Sequence, residues 1–216
     1  MSEHYNPNHP KPPSDPTMLS SPRRILVADD EHLVAAGIVT SLKAVGFEVC
    51  GPAADGHSAL ELARTEHPDL ALLDIRMPGM DGVDCAVALW NELEIPAVIL
   101  SAYSSAKYIE EAQRAGVFGY LLKPIAGDAL RTTITVAWAK SCTELAQTRR
   151  IGQLEQTLAV RKTVEMAKWK IIETRRLTES EAHSLLQRTA RNERRRLVDL
   201  AQDILNTTNH PILKSG

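Results

Sequence analysis

The sequence predicts an α/β chain in two parts: a five-stranded parallel sheet wound on both faces by helices, then a long helix and a small three-helix all-α domain. Three observations point there. Apolar, β-rich runs alternate with segments of helix length from Arg23 to about Lys140. No proline, and only Gly152 among glycines, interrupts the stretch from Ala137 to Arg176. Beyond it, apolar residues recur at helical spacing behind recognisable caps.

The five strand candidates read RILVAD, FEVCGPA, DLALLD, AVILSA and FGYLLK. Near-continuous apolar runs of this length, alternating with five helical segments, describe strands covered on both faces, which parallel sheets are. In the first helical segment Leu33, Ala36, Gly37, Thr40, Ser41 and Ala44 fall near one stripe, and Gly46 is placed to stop it. Residues 1–22 hold six of the twelve prolines and few apolar side chains, and are expected to form a disordered tail. The expected divisions are therefore the tail at 1–22, the sheet domain at 23–140, a helical linker at 141–160, a three-helix domain at 161–209 and a flexible tail at 210–216.

Bulk composition excludes several classes. No run of about 18 apolar residues exists and the N-terminus is polar, so neither a membrane span nor an export signal is expected, and the chain is assigned to the cytoplasm. Cys50, Cys85 and Cys142 are odd in number, widely spaced and form no C-x-x-C pair, which argues against a disulfide framework or zinc site. Residues 1–140 carry 11 Lys and Arg against 18 Asp and Glu, whereas residues 141–216 carry 14 against 9. An acidic part is joined to a basic one, and a basic surface can meet a polyanion or simply be a solvated helix face.

In doubly wound sheets ligands bind outside the carboxyl ends of the strands. Here the first strand ends in Asp29-Asp30, the third in Asp74, the fourth in Ser101-Ala102 and the fifth in Lys123-Pro124. Three crowded carboxylates repel one another and call for a positive partner, for which Mg2+, held by one or two carboxylates and phosphate oxygens, fits. One carboxylate can then act as nucleophile towards a phosphoryl group, forming an acyl phosphate. Asp74 is the candidate, standing alone at a strand end before a loop with Pro78 and two glycines. Lys123 can pair with phosphoryl oxygens and Ser101 can donate a hydrogen bond to them, while Ala102 leaves room for the incoming group. The bond before Pro124 is of the kind in which the cis form is far commoner than elsewhere.

ILVADDE, LDIRMPGMDG, LSA and GYLLKP resemble the receiver domain of two-component response regulators, over about residues 23–140. The resemblance implies a flavodoxin-like fold, Asp74 as phosphoacceptor, and a Mg2+ site of Asp29, Asp30, Asp74 and the backbone carbonyl of Arg76. It also implies Ser101 and Lys123 as the phosphate-sensing pair and Tyr120 as the aromatic whose rotation accompanies activation. Ser101 stands where Thr is commoner.

In the long helical stretch Ile151, Leu154 and Leu158 keep a 3,4 spacing, and Val160, Val164, Ala167 and Ile171 keep a 4,3,4 spacing in another phase. A short parallel coiled coil with a phase shift and a helix packed on its own chain both satisfy this pattern. Thr178-x-x-Glu181 forms a capping box before a stripe of Ala182, Leu185, Leu186, Thr189 and Ala190. Asn192 can cap a third helix carrying Leu197, Val198, Ala201, Ile204 and Leu205. The segment from Arg161 to Leu205 resembles the ANTAR domain, an RNA-binding output module of antitermination regulators. The resemblance rests on Ala167-Lys168, the apolar pair at 171–172, LTESEA, LLQRTA and LVDLA. It departs at Ile172, usually Met, at Arg176, usually small or Gly-like, and at Arg191, where Met usually follows the Ala.

Lys168, Lys170, Arg175, Arg188, Arg191, Arg194, Arg195 and the adjacent Arg196 are the candidate RNA contacts. Trp169 can either stack on unpaired bases or pack at the junction of linker and bundle. Together these features describe a response regulator phosphorylated by a sensor histidine kinase. Phosphorylation favours a homodimer, and two C-terminal domains then engage hairpin loops of a nascent transcript to cause antitermination. The alternatives are C-terminal helices that bind DNA or a protein partner. After residue 140 no catalytic constellation exists, so the chain is read as a phosphoacceptor with at most self-catalysed phosphoryl transfer and autodephosphorylation, not as an enzyme.

Overall fold

Alternate residues of the central strands face opposite sides of one sheet, and both sides are buried. Leu26, Ala28, Ala71 and Leu73 join one apolar cluster, while Ile25, Val27, Leu70 and Leu72 join another. The strands β1 (Arg24–Ala28), β2 (Glu48–Ala53), β3 (Leu70–Asp74), β4 (Ala97–Ser101) and β5 (Val117–Leu122) are parallel and ordered β2-β1-β3-β4-β5. The order reverses at β1, so the ends of β1 and β3 flank the crevice where doubly wound sheets bind ligands. This is a flavodoxin-like sheet. The computed structural model describes residues 21–102, 117–125, 127–207 and 210–213. All but the last two residues of the predicted N-terminal tail, and the helix expected between β4 and β5, lie outside them.

Helices α1 (His32–Ala44), α2 (Gly56–Glu66) and α3 (Gly82–Leu93) cover the sheet. Ala59, Leu60 and Ala63 of α2 pack in the same cluster as Cys85, Ala86 and Leu89 of α3; Ile38 and Leu42 of α1 pack in the other. The stripe read from the sequence for α1 is corrected. Its buried residues are Ala35, Ile38 and Leu42, whereas Leu33 is 91% exposed. Burial falls on Ile38 and Leu42, with Ala35, one position away from the stripe of mostly small and hydroxylated residues that had the same period.

The next helix, α4, runs without interruption from Gly127 to Arg175. A separate linker over 141–160 is therefore not a separate element: the last helix of the sheet domain and the expected linker are one helix. Contacts divide the chain into two units, Met1–Leu145 and Ala146–Gly216. In the first, Leu130, Ile134 and Ala137 of α4 are buried against the sheet cluster.

In the second unit, α5 (Glu179–Asn192), α6 (Leu197–Asn206) and a short 3-10 turn (Pro211–Leu213) complete a core with α4. Val164, Ala167 and Ile171 meet Ala182, Leu186 and Ala190 of α5 and Leu200, Ala201 and Ile204 of α6. The second apolar phase of the long helix is therefore the core face of this domain rather than the continuation of a coiled-coil seam. Thr178 and Glu181 form the capping box: the Glu181 backbone N–H donates to Thr178 Oγ1 at 3.3 Å and the Thr178 N–H donates to Glu181 Oε2 at 2.8 Å. Asn192, expected to cap α6, is instead the last residue of α5; Arg196 holds the cap position, and its side chain accepts no hydrogen bond from the helix's first N–H groups. The expected flexible tail also needs correction, because Ile212 and Leu213 are buried in the domain core. Two more apolar side chains are worth covering in a core this small.

Two arginines occupy backbone positions that favour glycine. Arg176 (φ 55°) closes α4, its N–H donating to the Ile172 carbonyl at 2.8 Å, and Arg194 (φ 53°) closes α5, with Arg195 N–H donating to the Ala190 carbonyl at 3.0 Å. These are the left-handed helix ends in which a Cβ costs about 1–2 kcal/mol. Arg176→Gly is accordingly expected to stabilise the C-terminal domain by up to about 1 kcal/mol, after the entropy of glycine is deducted. Urea denaturation of the full chain checks this; an unchanged or lower midpoint for the C-terminal transition rules it out.

Candidate functional site

Each candidate group of the first unit sits where its strand ends. Asp74 is the last residue of β3 and Ser101 the last of β4, Asp29 and Asp30 follow β1, and Lys123 follows β5. Asp29 and Asp74 are buried, as is Ser101, while Asp30 is exposed. The Lys123 ammonium reaches both buried carboxylates, donating to Asp29 Oδ2 at 2.6 Å and to Asp74 Oδ1 at 2.5 Å. Burial alone would push the lysine towards its neutral form, but the hydrogen bonds it donates to Asp29 and Asp74 outweigh it and raise its pKa. Lys123 therefore stays cationic between the two carboxyl groups.

The backbone fixes these side chains. Asp74 Oδ2 accepts from the Arg76 N–H at 2.7 Å, and Asp29 Oδ1 accepts from the Glu31 N–H at 3.0 Å. The Lys123 N–H donates to the Ser101 carbonyl at 2.8 Å, and the Lys123-Pro124 bond is cis. Tyr120 lies in β5, half-buried against the sheet core.

Two glycines that the sequence did not single out for packing hold the loop after Asp74. A Cβ on Gly82 would lie 2.0 Å from the Asp74 carbonyl oxygen, and one on Gly56 would lie 2.8 Å from the Met80 carbonyl oxygen. Each follows an aspartate that caps its helix: Asp55 accepts from the Ser58 N–H and Asp81 from the Val83 and Asp84 N–H groups. The repeated Asp-Gly pair was the available signal. A cavity of about 640 Å³ opens along this loop, lined by Asp30, Arg76, Met77, Pro78, Asp81 and Asp84.

The groups at the ends of β1 and β3 suit a hard divalent cation such as Mg2+. Asp29, Asp30 and Asp74 offer only hard carboxylate oxygens, and Arg76 contributes a carbonyl. No ready-made cluster of three ligating side chains exists among the described residues. Mg2+ does not need one, since it keeps several waters and takes one or two carboxylates. The donor chemistry fits.

In the second unit the candidate cations separate into two groups. Lys168 is buried, its ammonium held at 2.9 Å by both Glu165 and Glu179. The hydrogen bonds it donates to Glu179 and Glu165 raise its pKa. Lys170 donates to the Ile204, Leu205 and Thr207 carbonyls at 2.7, 3.2 and 3.3 Å, closing the C-terminal end of α6. Arg175 lies 3.5 Å from the Ile212 carbonyl, Arg195 pairs with Asp203 at 2.6 Å and Arg196 with Asp199 at 2.8 Å. These five are occupied within the domain. Arg188 and Arg191 are exposed on the side of α5 away from Ala182, Leu186 and Ala190, and Arg194 is exposed at its end. Trp169 is 59% exposed and takes no place in the core, against the reading of a junction contact.

Comparison with known proteins agrees with this geometry. The response regulator receiver domain family matches residues 25–135, and the ANTAR domain family matches residues 152–205. The chain is 34% identical over 190 residues to the transcriptional regulatory protein PdtaR of Mycobacterium tuberculosis, covering 88% of this chain and 93% of that one. This chain is a response regulator of the receiver–ANTAR family. The response regulator is also 41% identical over 116 residues to the probable transcriptional regulatory protein NarL of Mycobacterium tuberculosis, across 53% of this chain and 52% of that one. Among solved structures, the signal receiver domain of a modulated diguanylate cyclase from Desulfovibrio desulfuricans superposes with a TM-score of 0.53 at 32% identity, covering 58% of this chain and 99% of that one. The family supplies an RNA-binding output domain, and neither domain belongs to a catalytic family. Among the described residues, no helix of the response regulator is long and apolar enough to cross a membrane.

Asp74→Asn is expected to abolish uptake of phosphate from acetyl phosphate in the presence of Mg2+ while leaving the fold intact, since the amide keeps the shape and loses the nucleophile. Phosphate-affinity electrophoresis and circular dichroism check it; retained uptake at the wild-type level moves the acceptor elsewhere.

Proposed function

We propose that this response regulator accepts a phosphoryl group on Asp74 from a sensor histidine kinase, and that the modified form dimerises and binds RNA hairpins to cause antitermination. The observation that carries the reading is the Lys123 ammonium held between Asp29 and Asp74 at the switch point of the sheet. A carboxyl group at a strand end, with an ammonium fixed against it, is placed to act as a nucleophile towards an incoming phosphoryl group.

In the transfer step an Asp74 carboxylate oxygen forms a bond to phosphorus as the bond from phosphorus to the imidazole nitrogen of the kinase histidine breaks, and the imidazole leaves with the electron pair. The carboxylates of Asp29, Asp30 and Asp74 and the Arg76 carbonyl would hold Mg2+, which supplies positive charge against the phosphoryl oxygens. Lys123 transfers one of its hydrogen bonds from the carboxylate to the phosphoryl group, and Ser101, one strand away, donates another. Those new bonds draw the ends of β4 and β5 towards the site. Tyr120, half-buried on β5, follows them and changes the outer surface.

A surface change favours a dimer only by stabilising it relative to the monomer. Ile151, Leu154 and Leu158, exposed on α4, supply a short parallel coiled coil for that state. Two ANTAR domains joined in this way engage two hairpin loops with an avidity neither has alone. Of the candidate RNA contacts, Arg188, Arg191 and Arg194 are the ones left free to meet phosphates.

Titration of the full chain with a two-hairpin RNA, with and without beryllofluoride and Mg2+, tests the reading against duplex DNA of equal length. Tighter RNA binding that requires both the phosphoryl mimic and Asp74 is expected, by at least tenfold. A preference for DNA, or binding to neither nucleic acid, overturns it in favour of a DNA-binding or protein-docking output.

A further inference from the structure

Opposite the buried Ala182, Leu186 and Ala190, α5 presents side chains that the domain itself does not use. At about 100° per residue, Ser180, Ser184, Gln187, Arg188 and Arg191 fall within an arc of about 100° on that side. All five are exposed, and none of their side chains has a hydrogen-bond or ion-pair partner among the described residues. The hydroxyls of Thr157, Thr163 and Thr174 on α4, by contrast, donate back to carbonyls of their own helix. No acid lies within the arc. The carboxylates of α5 are engaged beside it, Glu179 on the Lys168 ammonium and Glu181 in the capping box with Thr178.

We propose that Gln187 reads an unpaired base of the RNA loop and sets which loop is bound, with Arg188 and Arg191 holding the phosphates beside it. The inference rests on the RNA-binding reading above and names the residue in it that carries sequence choice. Side-chain chemistry assigns the roles. The carboxamide of Gln187 offers a carbonyl acceptor and an NH2 donor side by side, so it can satisfy both a donor and an acceptor on one base edge. The arginines carry charge that phosphates of any sequence attract, and so position without selecting. Gln187 and Arg191, Ser184 and Arg188, and Arg188 and Arg191 are spaced three or four residues apart, which puts their Cβ atoms about 5–6 Å from one another. A base and its flanking phosphates can therefore be met together. The serine hydroxyls, able to donate and accept, suit the 2′-OH groups of the same strand.

The distribution of charge along α5 favours a loop over a duplex. A helix that enters a DNA groove leads with its N-terminal residues, with phosphates on both sides. Here the first turn carries Glu179 and Glu181, and the cations lie in the last two turns. A splayed base at a hairpin loop can be met by that half alone.

Selection from a pool of RNA hairpins that share one stem and carry a randomised loop tests the proposal, using the full chain with Mg2+ and beryllofluoride. Each loop position of the enriched RNA is then varied through all four bases, and affinities are measured for the wild type, Gln187→Ala and Arg188→Ala; circular dichroism checks that the fold is kept. Gln187→Ala is expected to bind the enriched loop at least fivefold more weakly and to lose base preference at one position while keeping it at the others. Arg188→Ala is expected to weaken all loops alike. Base preferences that Gln187→Ala leaves unchanged at every position overturn the proposal with the RNA-binding reading intact. A Gln187→Ala loss that is equal for all four bases overturns it in favour of a backbone contact, and tighter binding of duplex DNA than of any enriched hairpin overturns it in favour of a groove-reading helix. A wild-type chain that enriches no hairpin sinks the RNA-binding reading as well.

Discussion

Two buried carboxylates within reach of one ammonium form the constraint around which the first unit is built. Asp29 and Asp74 come from adjacent strands, and without Lys123 their repulsion and desolvation would work against the sheet that brings them together. The parallel order β2-β1-β3-β4-β5 delivers all three side chains to one edge, and backbone N–H groups of Glu31 and Arg76 settle which way the carboxylates point. A strand can end on a lone acid because the acid is not alone in space.

Much of this was legible before any coordinates. Strands covered on both faces are apolar along their whole length, so five runs and their terminal residues could be read directly, and with them Asp29, Asp30, Asp74, Ser101 and Lys123. The stripe of α1 was not legible, because small residues at helical period mimic an apolar face and only the packing shows that Ala35, Ile38 and Leu42 carry the burial. The close approaches of Gly56 and Gly82 to the Asp74 loop are likewise facts of tertiary contact. A repeated Asp-Gly pair hints at them without saying what a side chain would strike.

The C-terminal domain shows where periodicity alone stops. Two apolar phases along α4 fitted either a phase-shifted seam or a helix packed on its own chain, and one phase is the domain's own core while the other faces outward. A single helix with two apolar faces presents both patterns superposed, and the sequence does not say which face meets which partner. Arg176 could be recognised as a departure from the family, and its left-handed backbone gives the departure a physical meaning.

Cations in the domain also divide by a criterion that counting cannot supply. Lys168 and Lys170 spend their donors on carboxylates and helix-end carbonyls, and Arg175, Arg195 and Arg196 are engaged nearby. Each of these groups keeps at least part of its hydrogen bonding within the domain, which leaves less of it for a nucleic acid. Of the eight candidates only Arg188, Arg191 and Arg194 are left free, and at about 0.7 ions released per phosphate neutralised on a single strand these three would account for roughly two ions per domain. The candidate cations thus contribute less to the salt dependence of binding than their number suggests.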